Sequence, residues 1–237
     1  MDSIAQITDL HLDDFLADYY HIDSRKNLLA ILDDAKLRKI SNIVFTGDIG
    51  NRKSIPWLIE KIVEYDFSVD ITFGNHDEYR YFKHTWLKQS NEEIYYCRII
   101  DGMKCLFLDS RKAIIEEKQI NWLKNIIKTQ TKVLLFTHYP IFDCGHTAMD
   151  KLYPLKNREL IQVILEESDS EISIFCGHYH TEHKQINGKI VQYITPASIM
   201  QVKQQSNIVE LDNLGFGYRV IRKNENHIET DVIWLSN

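Results

Sequence analysis

The amino-acid sequence predicts an α/β fold in which two mixed β-sheets pack face to face with flanking helices, a four-layer αββα sandwich. Two observations lead to this fold class. Through most of the chain, short apolar runs rich in branched and aromatic residues alternate with helical patterns, as strands joined by helices do. From Asn207 onward the pattern alternates between apolar and polar residues, which predicts consecutive strands.

Five apolar runs are predicted to be buried strands, and amphipathic segments separate them. Ser24 is expected to cap a helix after the first run, and Ser54 with Pro56 is expected to begin another after the second. Apolar stripes within 120–127 and 160–165 predict two further helices. The five predicted strands are Ile4–Thr8, Ile43–Thr46, Val69–Phe73, Val133–Thr137 and Ile172–Cys176.

Two dipeptides predict tight hairpin turns, namely Asp101-Gly102 and Asn187-Gly188. The chain has 237 residues, of which 44% are hydrophobic, and this is enough for one sizeable core. We therefore expect residues 1–237 to form a single domain, with 200–237 mainly β and completing the second sheet.

Composition argues against several functions. A net charge of -6 does not favour binding to a nucleic acid polymer. No apolar run approaches the roughly 20 residues of a membrane span, and the first residues lack the pattern of a signal peptide. The four cysteines lack C-x-x-C spacing, which favours reduced thiols and a cytoplasmic protein.

Five short polar motifs each follow an apolar run directly, at the edge where α/β sheets bind ligands. Each motif alone has an ordinary structural explanation: a turn, a helix cap or a buried histidine. Together they supply the carboxylate, amide and imidazole groups that two metal ions need. The motifs are Asp9-Leu10-His11, Gly47-Asp48, Gly74-Asn75-His76-Asp77, His138 before Tyr139-Pro140, and Gly177-His178-Tyr179-His180.

This combination resembles the calcineurin-like metallophosphoesterase superfamily, and within it the class III cyclic-nucleotide phosphodiesterases that act on cyclic AMP. Looser similarities extend to Leu108-Asp109-Ser110, Gln119-x-x-Trp122-Leu123 and Thr195-Pro196-Ala197-Ser198. Asn51 departs from the purple acid phosphatases, which have a metal-binding tyrosine at that place. The sequence also lacks the Arg-Gly extension of the protein Ser/Thr phosphatases.

The resemblance implies a dinuclear centre with a metal-bridging hydroxide as the nucleophile. Its ligands would be Asp9, His11, Asp48 and His180 for one metal, and Asp48, Asn75, His138 and His178 for the other. His76 would protonate the leaving oxygen, and Asp77 would orient the ring of His76. A ligand set without thiolate suits divalent or trivalent Mn, Fe, Zn or Co.

The expected activity is hydrolysis of a small phosphodiester, with a cyclic nucleotide as one candidate. Two alternatives stay open: a phosphomonoesterase or broad-specificity phosphatase, and a non-catalytic binding module of the same fold. His21, Arg25 and His146 are further candidates for substrate contact, because they lie in loops that follow the motifs. The oligomeric state is left open, with a homodimer as one alternative, and no membrane partner is expected.

Overall fold

The computed structural model describes residues 3–82, 94–145, 147–212, 215–224 and 227–236. The helices are α1 (Phe15–Tyr19), α2 (Ser24–Leu37), α3 (Ile55–Tyr65), α4 (Tyr79–Phe82), α5 (Glu117–Ile127), α6 (Thr147–Leu152) and α7 (Arg158–Glu166). The strands are β1 (Ser3–Ile7), β2 (Asn42–Thr46), β3 (Ser68–Thr72), β4 (Tyr96–Ile100), β5 (Met103–Phe107), β6 (Lys132–Phe136), β7 (Glu171–Cys176), β8 (His183–Asn187), β9 (Ile190–Ile194), β10 (Gln201–Val202), β11 (Leu211–Asp212), β12 (Phe216–Asn224) and β13 (His227–Leu235). The five predicted buried strands are confirmed, each displaced by one residue or less at its ends.

The first sheet has the strand order β13-β12-β1-β2-β3. Strands β1, β2 and β3 run parallel, whereas β12 pairs antiparallel with β1 and β13 antiparallel with β12. The C-terminal strands therefore complete the sheet that contains β1, and the prediction that they complete the second sheet is wrong. They cover the free edge of β1. The alternation of apolar residues alone could not assign these strands to either sheet.

The second sheet has the order β4-β5-β6-β7-β9-β8, with β5, β6, β7 and β9 parallel to one another. The hairpin predicted at Asp101-Gly102 is confirmed, because Ile100 pairs with Met103. The other hairpin turns one residue later than predicted, since Asn187 already pairs with Ile190.

Three buried hydrophobic clusters lie between the four layers and hold them together. Between the sheets, the rings of Phe107, Phe136 and Phe175 stack in a row, with centroids 5.2 and 5.4 Å apart. Outside the first sheet, α2 and α3 bury residues such as Leu28 and Leu58. Outside the second sheet, α5 and α7 pack in the same way. The predicted αββα sandwich is confirmed, and none of the described helices is both long and apolar enough to cross a membrane.

A buried arginine ties the two sheets together. Arg219 on β12 is 3% exposed, and its guanidinium donates to Thr195 Oγ1 (3.0 Å) and to the carbonyl of Ile194 (3.1 Å) in the second sheet. The same group donates to Thr230 Oγ1 (2.6 Å) and lies 3.3 Å from Glu182. Thr195 in turn donates to Gln6 Oε1 at 2.5 Å, so a polar chain crosses the sandwich.

Replacing Arg219 by methionine is expected to lower the free energy of unfolding by about 2–4 kcal/mol, because buried acceptors lose their donors. Arg222→Met is the matched control, since this arginine lies on the same strand but forms an exposed pair with Asp231. The control should change stability by less than about 1 kcal/mol. Urea denaturation of both variants measures the difference, and equal effects would contradict a structural role specific to Arg219.

Candidate metal centre

The five motifs meet at one edge of the sandwich. Parallel strands β1, β2 and β3 of the first sheet and β6 and β7 of the second all end there. Each motif begins within three residues of the end of its strand, and the loops turn polar side chains toward the space between the sheets. The topology thus converts motifs far apart in the sequence into one cluster, as predicted.

A first group of ligand atoms comes from three buried residues, Asp9, His11 and His180, whose ligand atoms all lie within 4.8 Å of one another. His180 Nε2 is 3.3 Å from Asp9 Oδ1 and 3.3 Å from His11 Nε2. Two loops after β1 and β7 supply this group. A single cation in contact with all three side chains fits this spacing.

A second group consists of Asp48, His138 and His178, which are also buried and whose ligand atoms also lie within 4.8 Å of one another. His138 Nε2 lies 3.3 Å from Asp48 Oδ2. The same carboxylate oxygen lies 3.7 Å from His11 Nε2 of the first group. Asp48 therefore stands between the two groups, where a carboxylate can bridge two cations.

All four imidazoles are oriented by a hydrogen bond or ion pair at the ring nitrogen that faces away from the cluster. A neutral imidazole has one N–H and one lone pair, so an acceptor at one nitrogen directs the lone pair of the other into the cluster. The pairs are His11 Nδ1 with Asp14 Oδ2 (2.5 Å), His138 Nδ1 with the Thr46 carbonyl (2.8 Å), His180 Nδ1 with the Met200 carbonyl (3.1 Å), and His178 Nε2 with the Tyr153 carbonyl (3.0 Å).

These orientations suit a cation. Nε2 of His138 is buried and forms no hydrogen bond among the described residues, and Asp48 Oδ2 lies 3.3 Å away. The Nε2 atoms of His11 and His180 face each other 3.3 Å apart. Buried polar atoms without a hydrogen-bond partner are costly, and metal ions would satisfy the nitrogens of both groups. The donor chemistry of the cluster therefore fits a divalent metal centre.

The pKa values reflect an excess of buried negative charge. Burial alone would raise the pKa of Asp9, but neighbouring His180 and His138 lower it to about 2. Burial alone would lower the pKa of His138, but the Asp48 carboxylate raises it to about 9. His178 is the opposite case, because burial and the adjacent His138 lower its pKa to about 3. Without metal, the carboxylates draw protons onto the imidazoles, which shows how strongly the cluster favours positive charge.

The backbone is strained at the cluster. Five of its residues, none of them glycine, have φ between 44° and 68°, in the left-handed region: Asp9, His11, Asp48, His178 and His180. Such conformations persist where function or the surrounding structure requires them. Gly177 allows one close approach, since a Cβ there would lie 2.0 Å from Thr8 Oγ1 and 2.4 Å from Asp9 Oδ2.

The loop after β3 carries Asn75 and His76, which are both exposed. The His76 N–H donates to Asp48 Oδ1 at 2.9 Å, and its ring lies 5.2 Å from that of His11. This holds the histidine at the mouth of the cluster. No contact of the Asn75 side chain with the two groups is present among the described residues, so its role as a ligand stays a prediction.

The hydrogen bonds of Asp77 show a structural role for its carboxylate. Its carboxylate accepts hydrogen bonds from the backbone N–H groups of Asp48 (3.0 Å), Ile49 (2.7 Å) and Gly74 (2.8 Å). These amides lie in two turns that leave them without backbone partners, and Asp77 satisfies them. Asp77 therefore holds the loops after β2 and β3 together, and its expected role of orienting the ring of His76 stays a prediction.

Two of the three candidates for substrate contact, Arg25 and His21, lie among the described residues. Arg25 pairs with Asp13 and lies 4.6 Å over the ring of Trp57, so its guanidinium is already engaged. His21 is exposed in the turn after α1, and its role stays a prediction. His146 lies outside the described residues.

One residue that the sequence did not single out supports the cluster directly. Asp14 contacts His11 Nδ1 with one oxygen and accepts from the Leu16 and Ala17 N–H groups with the other (2.9 and 3.2 Å). It thus caps α1 and fixes a ligand at once. The other three partners are backbone carbonyls, at Thr46, Tyr153 and Met200, which leave no sequence signal. Asp14 could have been found from its position three residues after His11.

Asp14→Ala is expected to weaken metal binding about 10- to 100-fold, because His11 loses the partner that orients its ring. Asp23→Ala is the matched control: Asp23 caps α2 by accepting from Lys26 N–H (2.9 Å) and is exposed. Both variants should lose about 1 kcal/mol of stability as helix caps. Titration with Mn²⁺ separates them, and equal metal affinity in the two variants would argue against orientation of His11.

Comparisons with known proteins identify the family of this chain. The family model described as "Calcineurin-like phosphoesterase" matches residues 3–182. A relative from Fibrobacter succinogenes, named a probable cyclic nucleotide phosphodiesterase, is 33% identical and covers 99% of this chain and 94% of its own length. Another from Arcobacter nitrofigilis, named a probable glycerophosphodiester phosphodiesterase, is 27% identical over 82% of this chain and 77% of its own.

Solved structures share the fold at low sequence identity. The structure of a dimetal phosphatase from Danio rerio superposes with a TM-score of 0.71 at 15% identity, covering 99% of both chains. At this level of identity, the likeness concerns the fold.

Proposed function

Because the chain belongs to the calcineurin-like phosphoesterase family, we propose that it hydrolyses small phosphodiesters at a dinuclear metal centre. The observation that carries the proposal is the pair of ligand groups joined by Asp48, whose Oδ2 lies 3.3 Å from His138 and 3.7 Å from His11. A structural zinc site would close four ligands around one ion, whereas two open groups that share a carboxylate suit hydrolysis.

When bound, two metal ions would activate a water molecule as the nucleophile and neutralise charge on the phosphate. The chain contributes the rest. Asp9, His11 and His180 would hold one ion, and His138, His178 and Asn75 the other, with Asp48 shared. His76 would donate a proton to the leaving oxygen, since it lies exposed at the mouth with its backbone fixed by Asp48.

The finer assignments follow from the same chemistry. The absence of thiolate among the ligands supports Mn, Fe, Zn or Co as the metals. The names of the two relatives support a diester substrate, either a cyclic nucleotide or a glycerophosphodiester. A cytoplasmic location is supported by the four cysteines, which form no disulfide among the described residues and of which Cys105, Cys144 and Cys176 are buried.

The test is an assay of metal-free protein reloaded with Mn²⁺ against bis-p-nitrophenyl phosphate, p-nitrophenyl phosphate and cyclic AMP. Diester turnover that depends on metal is expected. Turnover of the monoester alone would replace the proposal with a phosphomonoesterase. No turnover of any of the three, with metal bound, would favour a binding module.

A further inference from the structure

A basic cleft opens beside the proposed centre. Its cavity of about 600 Å³ lies beside Gly74 and Asn75, and its lining includes three basic side chains, Arg80, Arg111 and Lys112, against two acidic ones, Asp77 and Glu78. It is continuous with the loop that carries His76, and its volume lies in the range of small-molecule sites. The whole chain is acidic, with a net charge of -6, so a basic wall at this place is a local departure.

Arg111 is the fixed cation of this cleft. Its guanidinium lies 4.0 Å over the ring of Tyr79, which belongs to the helix after the His76 loop. Nε lies 3.3 Å from Asp109 Oδ2, and the side chain is 19% exposed. The backbone of Asp109 is in turn held by Gln119, which donates to its carbonyl (2.9 Å) and accepts from its N–H (2.7 Å). The guanidinium is therefore preorganised.

The guanidinium of Arg111 retains N–H groups that can donate hydrogen bonds to a ligand. A guanidinium offers five N–H groups, and the recorded ion pair of this one joins its Nε to Asp109 Oδ2. The two terminal nitrogens form no hydrogen bond among the described residues. The other charges compete little for them: Lys112 pairs with Glu116 at 2.5 Å, Asp77 is bound to backbone amides, and Glu78 is exposed.

We propose that Arg111 forms a subsite for a second anionic group of the substrate. The preferred substrates would then be phosphodiesters that carry a further phosphate or carboxylate on one of the esterified alcohols. A diester held at the metal groups and extending past Asn75 would place that group over Tyr79, where the terminal nitrogens can bind two oxygens at once. This inference rests on the proposed function and adds to it the class of substrate.

The test compares two chromogenic diesters that differ by one phosphate. They are the p-nitrophenyl ester of thymidine 5'-phosphate and the same ester carrying a 3'-phosphate. The unchanged protein is expected to prefer the second in kcat/KM by roughly 10- to 100-fold, the scale of hydrogen bonds to a charged group. Arg111→Gln should bring the ratio close to one, and Arg111→Lys should retain part of it.

Arg52→Gln is the matched control, because Arg52 lies 4.7 Å over the ring of Tyr81 but does not line the cleft. Arg52→Gln should keep the preference of the unchanged protein for the diester with the 3'-phosphate, and the ratio of the two kcat/KM values is compared within each variant. The same preference in Arg111→Gln as in the unchanged protein, or no preference in the unchanged protein, would overturn the subsite.

Failure of the proposed function would look different, because no diester would then be hydrolysed. In that case calorimetry with thymidine 3',5'-bisphosphate and thymidine 5'-phosphate tests the subsite by itself. Tighter binding of the bisphosphate that Arg111→Gln removes would support the subsite, and equal binding of both nucleotides would reject it.

Discussion

Asp48→Ala is expected to abolish turnover and to remove metal from both ligand groups. Asp48 Oδ2 lies near a ring nitrogen of each group, 3.7 Å from His11 and 3.3 Å from His138. Its other oxygen accepts the backbone N–H of His76. The substitution therefore removes both the carboxylate between the two groups and the acceptor that holds the backbone of His76.

Asp48→Asn separates these two functions. The amide oxygen of asparagine can still accept the N–H of His76, but the side chain brings no negative charge to the ligand groups. Metal content measured by mass spectrometry should fall in both variants, while the protein stays folded. Folding is expected to survive, because buried carboxylates without their cations cost stability.

Asp70→Asn is the control for loss of a buried carboxylate elsewhere. Asp70 is 6% exposed and pairs with Arg98 at 2.9 Å, away from the ligand groups. Its substitution should lower stability and leave metal content unchanged. Normal metal content and turnover in Asp48→Ala would contradict the bridging assignment.

The ligand-bearing edge could be predicted because two signals coincide in the sequence. Apolar runs locate the strands, and a polar motif directly after a parallel strand must lie at the carboxyl edge of its sheet. Asp9 and His178 are 169 residues apart, yet the His178 N–H donates to the Asp9 carboxylate at 3.0 Å. The buried strands and the position of each motif after its strand were sufficient to predict that these two residues lie close together.

What the sequence did not predict depends on backbone geometry. The carbonyls of Met200 and Tyr153 orient two ligands, and any residue type supplies a carbonyl. The hydrogen bonds of Asp77 to backbone amides were missed for a related reason, since unpaired amides in loops are not visible in a sequence. The pairing of β12 with β1 was also undetermined, because alternation gives the faces of a strand and not its neighbour.

Backbone geometry and close packing distinguish the glycine-containing motifs. Asp48 and His178 each follow a glycine, and each has a positive φ itself. Gly177 also passes within contact distance of Asp9, where any Cβ would displace a ligand oxygen. Such close packing favours a preformed centre, because the ligands are held by the fold and not by the metal alone.

His76→Ala is expected to lower kcat by about 10²- to 10⁴-fold and to leave metal content unchanged, as for loss of a general acid. The expectation rests on position: the residue is exposed, its N–H is fixed by Asp48, and its ring is 5.2 Å from that of His11. Substitution of the side chain keeps the N–H to Asp48, so the ligand groups should stay intact.

The choice of leaving group separates proton donation from simple stabilisation of the phosphate. p-Nitrophenolate leaves readily without a proton, whereas the alkoxide released from cyclic AMP does not. If His76 is the general acid, His76→Ala should impair cyclic AMP far more than bis-p-nitrophenyl phosphate. Equal losses on both substrates would instead indicate that the ring stabilises the phosphate charge. His227→Ala, an exposed histidine paired with Glu229 on β13, should change neither rate.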